Sequence, residues 1–167
     1  MTCGLFLEAV RSIGRQFPDV VLDDLLVDAS TAHLVREPER FDVLVATNFF
    51  GDILSDLTSE LSGSIGLAGS IMTSDNLCCA QAQHGSAPTI AGRDIANPTS
   101  MILSVAMMLQ WIGDYRSWSH VQAAGDAMQK AVDDVLALPE KRTADLGGLS
   151  GCAAFGAATA LALDIPQ

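Results

Sequence analysis

The chain has 167 residues, of which 49% are hydrophobic and 17% are charged, so it has the composition of a globular protein and not of a disordered one. Its net charge of −11 and the absence of a basic stripe exclude nucleic acid as a partner and disfavour binding to anionic membranes. No signal-peptide pattern follows Met1, and we therefore expect a cytoplasmic protein with reduced thiols. None of the cysteines has the Cys-x-x-Cys spacing of a zinc site: Cys3, Cys78, Cys79 and Cys152.

The first part of the chain predicts helices that alternate with strands. Residues 4–16 have the apolar spacing of an amphipathic helix, which Pro18 would end, and residues 29–36 predict a second helix. A short β-like run at residues 20–22 separates these two helices, and the apolar run at residues 41–47 predicts a strand. This alternation indicates an α/β fold.

The stretch Asn-Phe-Phe-Gly-Asp-Ile-Leu-Ser-Asp, residues 48–56, follows that strand. It predicts a turn through Asn48 and Gly51 and then a helix with Ile53, Leu54, Leu57 and Leu61 on one face. Asp52 and Asp56 are four residues apart, so they stack one helical turn above the other and can bind one hard divalent cation. The alternative is that both aspartates only favour the positive end of the helix dipole and cap loose N–H groups.

The second part of the chain predicts mainly helices. Residues 62–70 are rich in Gly and Ser and predict a loop or a domain junction. Residues 84–98 contain two glycines and two prolines and cannot form a regular helix. Three helices are predicted after this loop, over residues 99–112 with Pro98 at the first helical position, 118–138 and 151–163.

Several motifs of the chain resemble those of the β-decarboxylating dehydrogenases, the family of isocitrate, isopropylmalate, homoisocitrate and tartrate or D-malate dehydrogenases. The resemblance rests first on residues 48–56 with Gly-Ser-Ile-Gly-Leu behind them at residues 63–67. Five further motifs occur in the order of the family: Leu-Val-Asp at 26–28, Pro-Glu-Arg-Phe-Asp-Val at 38–43, His-Gly-Ser-Ala-Pro at 84–88, Ile-Ala-Asn-Pro at 95–98 and Thr-Ala-Asp-Leu-Gly-Gly at 143–148.

The resemblance implies part of the two-domain isopropylmalate-dehydrogenase-like fold. Residues 1–63 would belong to the smaller domain, which forms a homodimer and carries the metal site, and residues 64–167 to the larger domain. The implied activity of the complete enzyme is the oxidative decarboxylation of a 2-hydroxy acid with NAD(P)⁺ and Mg²⁺ or Mn²⁺. A 3-isopropylmalate-like substrate is preferred on the overall likeness of the motifs.

The resemblance also implies the metal ligands. Asp52 and Asp56 would bind Mg²⁺ or Mn²⁺, and the third ligand, matching Asp28, would come from the partner subunit of the dimer. The cation would polarise the 2-hydroxyl for oxidation and then act as a Lewis acid during decarboxylation. The alternative for Asp28 is that it caps the helix beginning at Ala29.

The loop at residues 84–97 resembles the adenosine-binding loop of the family. Gly85, Ser86 and Ala87 would allow close approach of the dinucleotide, Ile90 would lie against adenine and Asn97 would form a hydrogen bond with it. The alternatives are that Asn97 caps the following helix and that His84 only bonds to the backbone. Where many NAD-using members of the family have an acidic residue, this chain has Thr89, so NADP is an alternative to NAD.

The catalytic lysine and tyrosine and the substrate-binding arginines of the family would all precede Met1, and Lys130 and Lys141 do not replace the lysine. The catalytic residues of this chain are therefore unknown. Three hypotheses follow: the chain is part of an active enzyme, a short protein that binds metal or nucleotide without catalysis, or an interaction remnant. The first is preferred. Without a base for the hydroxyl proton, the metal aspartates alone should give little turnover.

Overall fold

The computed structural model describes residues 2–164 and divides the chain into two compact units, Met1–Leu61 and Ser62–Gln167. The boundary expected from the sequence lies two residues further along, between residues 63 and 64. The roles expected for the two domains, dimer formation and nucleotide binding, stay predictions.

The first unit consists of three helices: α1 (Thr2–Gly14), α2 (Val27–Arg36) and α3 (Asn48–Leu61). A single tight turn, Pro38–Arg40, follows α2 where proline prevents the helix from continuing. Leu34 of α2 and Leu54 of α3 are buried, and these two helices pack against each other. The three helices predicted in this region are confirmed, with ends that differ by a few residues.

The strand predicted at residues 41–47 is wrong for this structure, and so is the β-like run at residues 20–22. Both segments take no regular secondary structure, and their valines are exposed, with Val21 at 95% and Val43 at 78%. The only sheet among residues 2–164 is a two-stranded one in the other unit. A single extended segment has no neighbour with which to share backbone hydrogen bonds, so an apolar pattern alone does not form a strand.

Helix α3 begins earlier than predicted. Asn48 and Gly51, expected in a turn, lie inside its first turn, where the N–H of Gly51 donates to the carbonyl oxygen of Thr47 at 2.7 Å. The apolar face predicted for this helix is only partly covered, because Leu54 is buried whereas Ile53 and Leu61 are exposed.

The second unit begins with an antiparallel hairpin of β1 (Gly69–Thr73) and β2 (Cys78–Ala82), in which Gly69 lies opposite Ala82. No element was expected here from the sequence beyond the loop up to residue 70. Three helices follow: α4 (Thr99–Arg116), α5 (Ser119–Leu136) and α6 (Cys152–Ala162). All three were predicted, although α4 continues four residues past its expected end at residue 112.

Helix α4 packs against both the hairpin and α5, and α6 packs against α5. The core of this unit includes Phe155, Val132 and Ala106, which are fully buried. Helices α4 and α5 approach closely at Gly113, whose missing Cβ leaves room for the backbone of Gln122. No helix within residues 2–164 is long and apolar enough to span a membrane.

Two buried serines of α4 connect it to the hairpin. The hydroxyl of Ser104 accepts the N–H of Ser70 at 2.9 Å and lies 2.8 Å from the carbonyl oxygen of Gln81, to which it can donate. Ser100 accepts the N–H of Gln83 at 3.2 Å and donates to the carbonyl oxygen of Ala68. Ser104 therefore contacts the backbone of both strands, and Ser100 bonds the residues that flank them, Ala68 and Gln83, which a methyl group could not do.

We expect Ser104→Ala to lower the free energy of unfolding by about 2 kcal/mol, because the half-buried N–H of Ser70 would lose its acceptor. Chemical denaturation followed by circular dichroism measures this loss. Ser119→Ala at an exposed position of α5 is the control and should change stability by less than about 0.5 kcal/mol. Equal effects of the two substitutions would contradict the bridging role of Ser104.

Candidate metal and nucleotide sites

Asp52 and Asp56 lie one turn apart on α3, and both are exposed. Because α3 begins at Asn48, neither aspartate belongs to its first turn. The alternative that they only favour the helix N-terminus therefore loses its basis, since that effect is confined to the first turn. Nothing within residues 2–164 forms an ion pair or a hydrogen bond with either carboxylate. Two free carboxylates at this spacing can bind one hard cation.

Asp28 lies within the first turn of α2, which begins at Val27 and not at Ala29 as expected. Its carboxylate accepts the N–H of Ala29 at 2.8 Å, and the residue is exposed. Asp28 thus accepts one amide in the first turn of α2, although the N-cap residue is Leu26 and not Asp28. Within residues 2–164, no three His, Cys, Asp or Glu side chains come together in a group that could hold a metal ion.

The loop at residues 84–97 contains one short turn, Pro88–Ile90, and no other regular element, as its prolines and glycines predicted. Four of the predicted site residues in this loop are exposed: Gly85, Ser86, Ala87 and Thr89. Ile90 is half-buried. Ala87 has a φ of 41° in the left-handed region, which costs alanine free energy. The loop is therefore held in a strained shape with its small residues turned towards solvent-accessible space.

Nδ1 of His84 lies 2.9 Å from the carbonyl oxygen of Gly85. Because a carbonyl oxygen can only accept, Nδ1 is the donor in this bond. This contact is the backbone bond that the alternative explanation proposed for His84. A Cβ atom added to the neighbouring Gly85 would meet nothing within 4 Å. The space above Gly85 is open, so a ligand can approach the backbone there.

Asn97 is buried and has hydrogen bonds at both ends of its carboxamide. Its Oδ1 accepts the N–H of Thr99 at 3.0 Å, and its Nδ2 donates to Asp145 at 2.9 Å. Asn97 thus accepts the first amide of α4, although the N-cap residue is Pro98 and not Asn97 as the capping alternative expected. One N–H of the carboxamide is not used in these two bonds, and its predicted role towards adenine stays a prediction.

Asp145 was not assigned a role from the sequence, although it lies within the Thr-Ala-Asp-Leu-Gly-Gly motif. Partial burial of its carboxylate acts to raise the pKa, but hydrogen bonds from Ser64, Thr143 and Asn97 outweigh that effect and lower the pKa below its usual value. The carboxylate is therefore held ionised near neutral pH. Gly147 closes the turn after Asp145 with a φ of 76°, in the left-handed region that favours glycine.

Asp94, three residues before Asn97, connects the same side of the loop to α6. Its carboxylate accepts the N–H of Ala153 at 2.9 Å, and its carbonyl oxygen accepts the N–H of Cys152 at 3.0 Å. Two of the unpaired amides at the start of α6 are thus satisfied by a residue distant in sequence. Asp94 has a φ of 52°, a left-handed conformation that aspartate and asparagine tolerate better than alanine.

We expect Asp94→Ala to lower the free energy of unfolding by about 1–2 kcal/mol, through loss of the cap and the strain on alanine. Asp94→Asn keeps an acceptor oxygen and tolerates the backbone conformation, so it should stay within about 0.5 kcal/mol of the wild type. Thermal unfolding of the two variants side by side measures the difference. A loss of similar size in both would show that the charge, and not the cap, is what stabilises α6.

Comparison with known proteins finds the same family throughout. The family model for isocitrate/isopropylmalate dehydrogenase matches residues 2–159. An isocitrate/homoisocitrate dehydrogenase of Thermus thermophilus is 47% identical over 163 residues, an alignment that covers 98% of this chain and 46% of that protein. A 3-isopropylmalate dehydrogenase of Archaeoglobus fulgidus is 41% identical over 147 residues, covering 88% of this chain and 43% of that protein.

The solved structure of an isocitrate dehydrogenase from Methylococcus capsulatus superimposes with a TM-score of 0.88 and 42% identity, covering 96% of this chain and 46% of that one. This agreement confirms the predicted α/β fold class. The chain spans less than half the length of the relatives that it matches. These matches show that the chain belongs to the isocitrate/isopropylmalate dehydrogenase family.

Proposed function

We propose that this chain supplies the metal-binding and nucleotide-binding parts of an enzyme that oxidises and decarboxylates a 2-hydroxy acid. The observation that carries the proposal is the pair of exposed carboxylates of Asp52 and Asp56 on α3, one turn apart and free of partners within the described residues. Two solvated anions held this close repel each other and gain most from a cation that binds both. Membership of a family of dehydrogenases supports the same conclusion.

The proposed cation is Mg²⁺ or Mn²⁺, since both prefer oxygen ligands. Asp52 and Asp56 would hold it, and Asp28 of a second copy would complete the set. When bound, the cation would polarise the hydroxyl of the substrate and withdraw electrons as CO₂ leaves. The two aspartates of α3 would place the substrate by fixing that cation, and their helix keeps the carboxylates in register.

The proposed oxidant is NAD⁺, with NADP⁺ as the alternative, bound through the loop at residues 84–97. The exposed small residues and the open space above Gly85 support this role, because a dinucleotide needs close approach to the backbone. The hydroxyl of Thr89 can bond a ribose hydroxyl without repelling a 2′-phosphate, and Arg93 is exposed three residues after Ile90. Binding constants for both nucleotides would decide the preference.

A homodimer is also proposed. In the first unit the apolar side chains with the greatest exposure are Val21, Val43, Leu26 and Leu5. Apolar surface of this extent is typical of interaction sites. Sedimentation velocity over a range of concentrations tests the association, and a monomer at every concentration would contradict it.

The proposed substrate is 3-isopropylmalate or a related 2-hydroxy acid. Relatives of the chain are named for isocitrate, homoisocitrate and 3-isopropylmalate. The family resemblance therefore supports a 2-hydroxy acid as the class of substrate but does not identify the compound. The test is reduction of NAD⁺ or NADP⁺ by the purified chain with Mn²⁺ and each of 3-isopropylmalate, isocitrate, D-malate and tartrate. Turnover with one of them identifies the substrate and the nucleotide together.

The second candidate function is binding of metal or nucleotide without catalysis. It is favoured by the two lysines of the chain, because neither is suited to be a general base. Lys130 forms a hydrogen-bonded ion pair with Asp134, which raises the pKa of the lysine, and Lys141 lies in a turn of the second unit. A folded chain that binds Mn²⁺ and NAD⁺ but gives no turnover, even when the separately produced N-terminal half of a relative is added, would support this candidate. Absence of both binding and turnover would overturn both candidates.

A further inference from the structure

The carboxylate of Asp145 collects donors from three separate segments of the second unit. Oδ2 accepts the hydroxyl of Ser64 at 2.6 Å and Nδ2 of Asn97 at 2.9 Å, while Oδ1 accepts the hydroxyl of Thr143 at 2.5 Å. Charge-assisted hydrogen bonds of this kind are short and about twice as strong as neutral ones. One ionised group therefore joins the loop before β1, the end of the 84–97 loop and the turn before α6.

The orientation of Asn97 is fully determined by these contacts. Its Oδ1 is committed to the N–H of Thr99, so its Nδ2 has to point to the other side, where Asp145 accepts from it. Gly66 packs against the same side chain, because a Cβ at that position would lie 2.8 Å from Cβ of Asn97. The carbonyl oxygen of Gly66 in turn accepts the N–H of Ser100 at 2.8 Å. Rotation of the carboxamide would break both of these bonds.

The rest of the loop contrasts with this anchored end. Gly85, Ser86 and Ala87 are exposed, and Ala87 is in the left-handed region. A strained conformation persists only where the surrounding structure holds it. Asp94 at α6 and Asn97 at Asp145 are the two places where the C-terminal side of the loop is tied to the body of the unit.

We propose that Asp145 is a positioning residue of the nucleotide site: it acts through Asn97, whose carboxamide and adjoining loop it holds in the orientation that binds the adenine end of the cofactor. This inference rests on the proposed function of the 84–97 loop. Asp145 itself does not touch the nucleotide in this proposal. The competing explanation is that Asp145 only closes the turn of residues 143–148 and has no effect on binding.

The test compares four variants of the full chain for binding of NAD⁺ and ADP by isothermal titration calorimetry. We expect Asp145→Ala to weaken both ligands about tenfold, the loss that corresponds to about one hydrogen-bonded contact in the site. Asp145→Asn keeps an oxygen that can accept from Ser64 and Asn97, so it should recover most of the affinity. Ser64→Ala, which removes one of the three donors, should weaken binding about threefold.

Asp133→Ala is the matched control, because it removes an exposed carboxylate of α5 whose side-chain contact is with Gln129 of the same helix. It should bind both ligands as the wild type does. Ser64→Ala also serves where Asp145→Ala fails to fold. Wild-type affinity in folded Asp145→Ala, or in Ser64→Ala where Asp145→Ala does not fold, would overturn the proposal. Affinity of Asp145→Asn as low as that of Asp145→Ala would overturn it as well.

Hydrogen exchange separates this proposal from the proposed function. In Asp145→Ala, amides of residues 84–97 should exchange faster while those of α5 keep their wild-type rates. Wild-type protein that binds neither NAD⁺, NADP⁺ nor ADP would overturn the nucleotide function, and the exchange data would then still decide whether Asp145 anchors the loop. Unchanged exchange of the loop in Asp145→Ala, or in Ser64→Ala where Asp145→Ala does not fold, would overturn the anchoring role whatever the protein binds.

Discussion

Gly113→Ala is expected to lower the free energy of unfolding by about 3 kcal/mol, the cost of overpacking a close helix contact. A Cβ at Gly113 would lie 2.5 Å from the backbone N and 2.7 Å from Cα of Gln122, atoms that cannot rotate away as a side chain can. Helices α4 and α5 would have to separate, and the buried contacts around Ala106 and Val132 would loosen with them. Urea denaturation of the wild type and the variant measures the loss.

Gly156→Ala is the control for Gly113→Ala. Gly156 also lies within a helix, α6, but a Cβ there would meet nothing within 4 Å. Alanine is the better helix former, so this variant should be more stable than the wild type by about 0.5–1 kcal/mol. Opposite signs for the two glycines would confirm that packing, and not propensity, decides the effect at Gly113. A stabilising Gly113→Ala would contradict the close approach of α4 and α5.

Joint replacement of Asp52 and Asp56 by asparagine is expected to abolish stabilisation of the chain by Mn²⁺. A ligand at about 100 times its Kd raises the free energy of unfolding by about 2.7 kcal/mol, and this gain should be present in the wild type and absent in the double variant. The physical reason is that asparagine keeps the shape of the side chain but removes the negative charge that attracts the cation. Thermal unfolding with and without Mn²⁺ measures the effect.

The charge-matched control is the joint replacement of Asp133 and Asp134 by asparagine, which also removes two exposed carboxylates. Asp134 pairs with Lys130 on the surface of α5, a contact worth little to stability. This variant should keep the full Mn²⁺ shift. A shift that survives in the Asp52 and Asp56 double variant would exclude these residues as the metal site, and a shift lost in both would indicate nonspecific attraction of cations.

The helices could be predicted from the sequence because their apolar spacing is local. Helix α1 has the expected apolar period, and α4 follows from an apolar run whose start Pro98 marks to within one residue. The predicted strand at residues 41–47 was wrong for the opposite reason, because a strand depends on a partner that may be distant along the chain. The hairpin of β1 and β2 was missed for lack of a regular alternation, and buried serines of α4 contribute to its stability.

The residues of the candidate site also differ in whether the sequence alone could identify them. Asp52 and Asp56 could be found from a spacing of four residues, because one helical turn is a local repeat. Asp145 could not be found, because its three donors come from positions 64, 97 and 143 and meet only in the folded unit. The anchoring of the loop by Asp94 at α6 is hidden from sequence reasoning for the same reason.

By itself, the sequence determined the family, the helices and the pair of aspartates on α3. These features depend on residue types at short, regular spacings, which the backbone geometry converts directly into a shared face or a turn. Only the tertiary structure decided that Asn97 is held by Asp145 and that Gly113 lets α5 approach α4. It also decided that residues 41–47 stay irregular. Hydrogen bonds and close packing between distant segments depend on where folding brings them, and that information is spread over the whole chain.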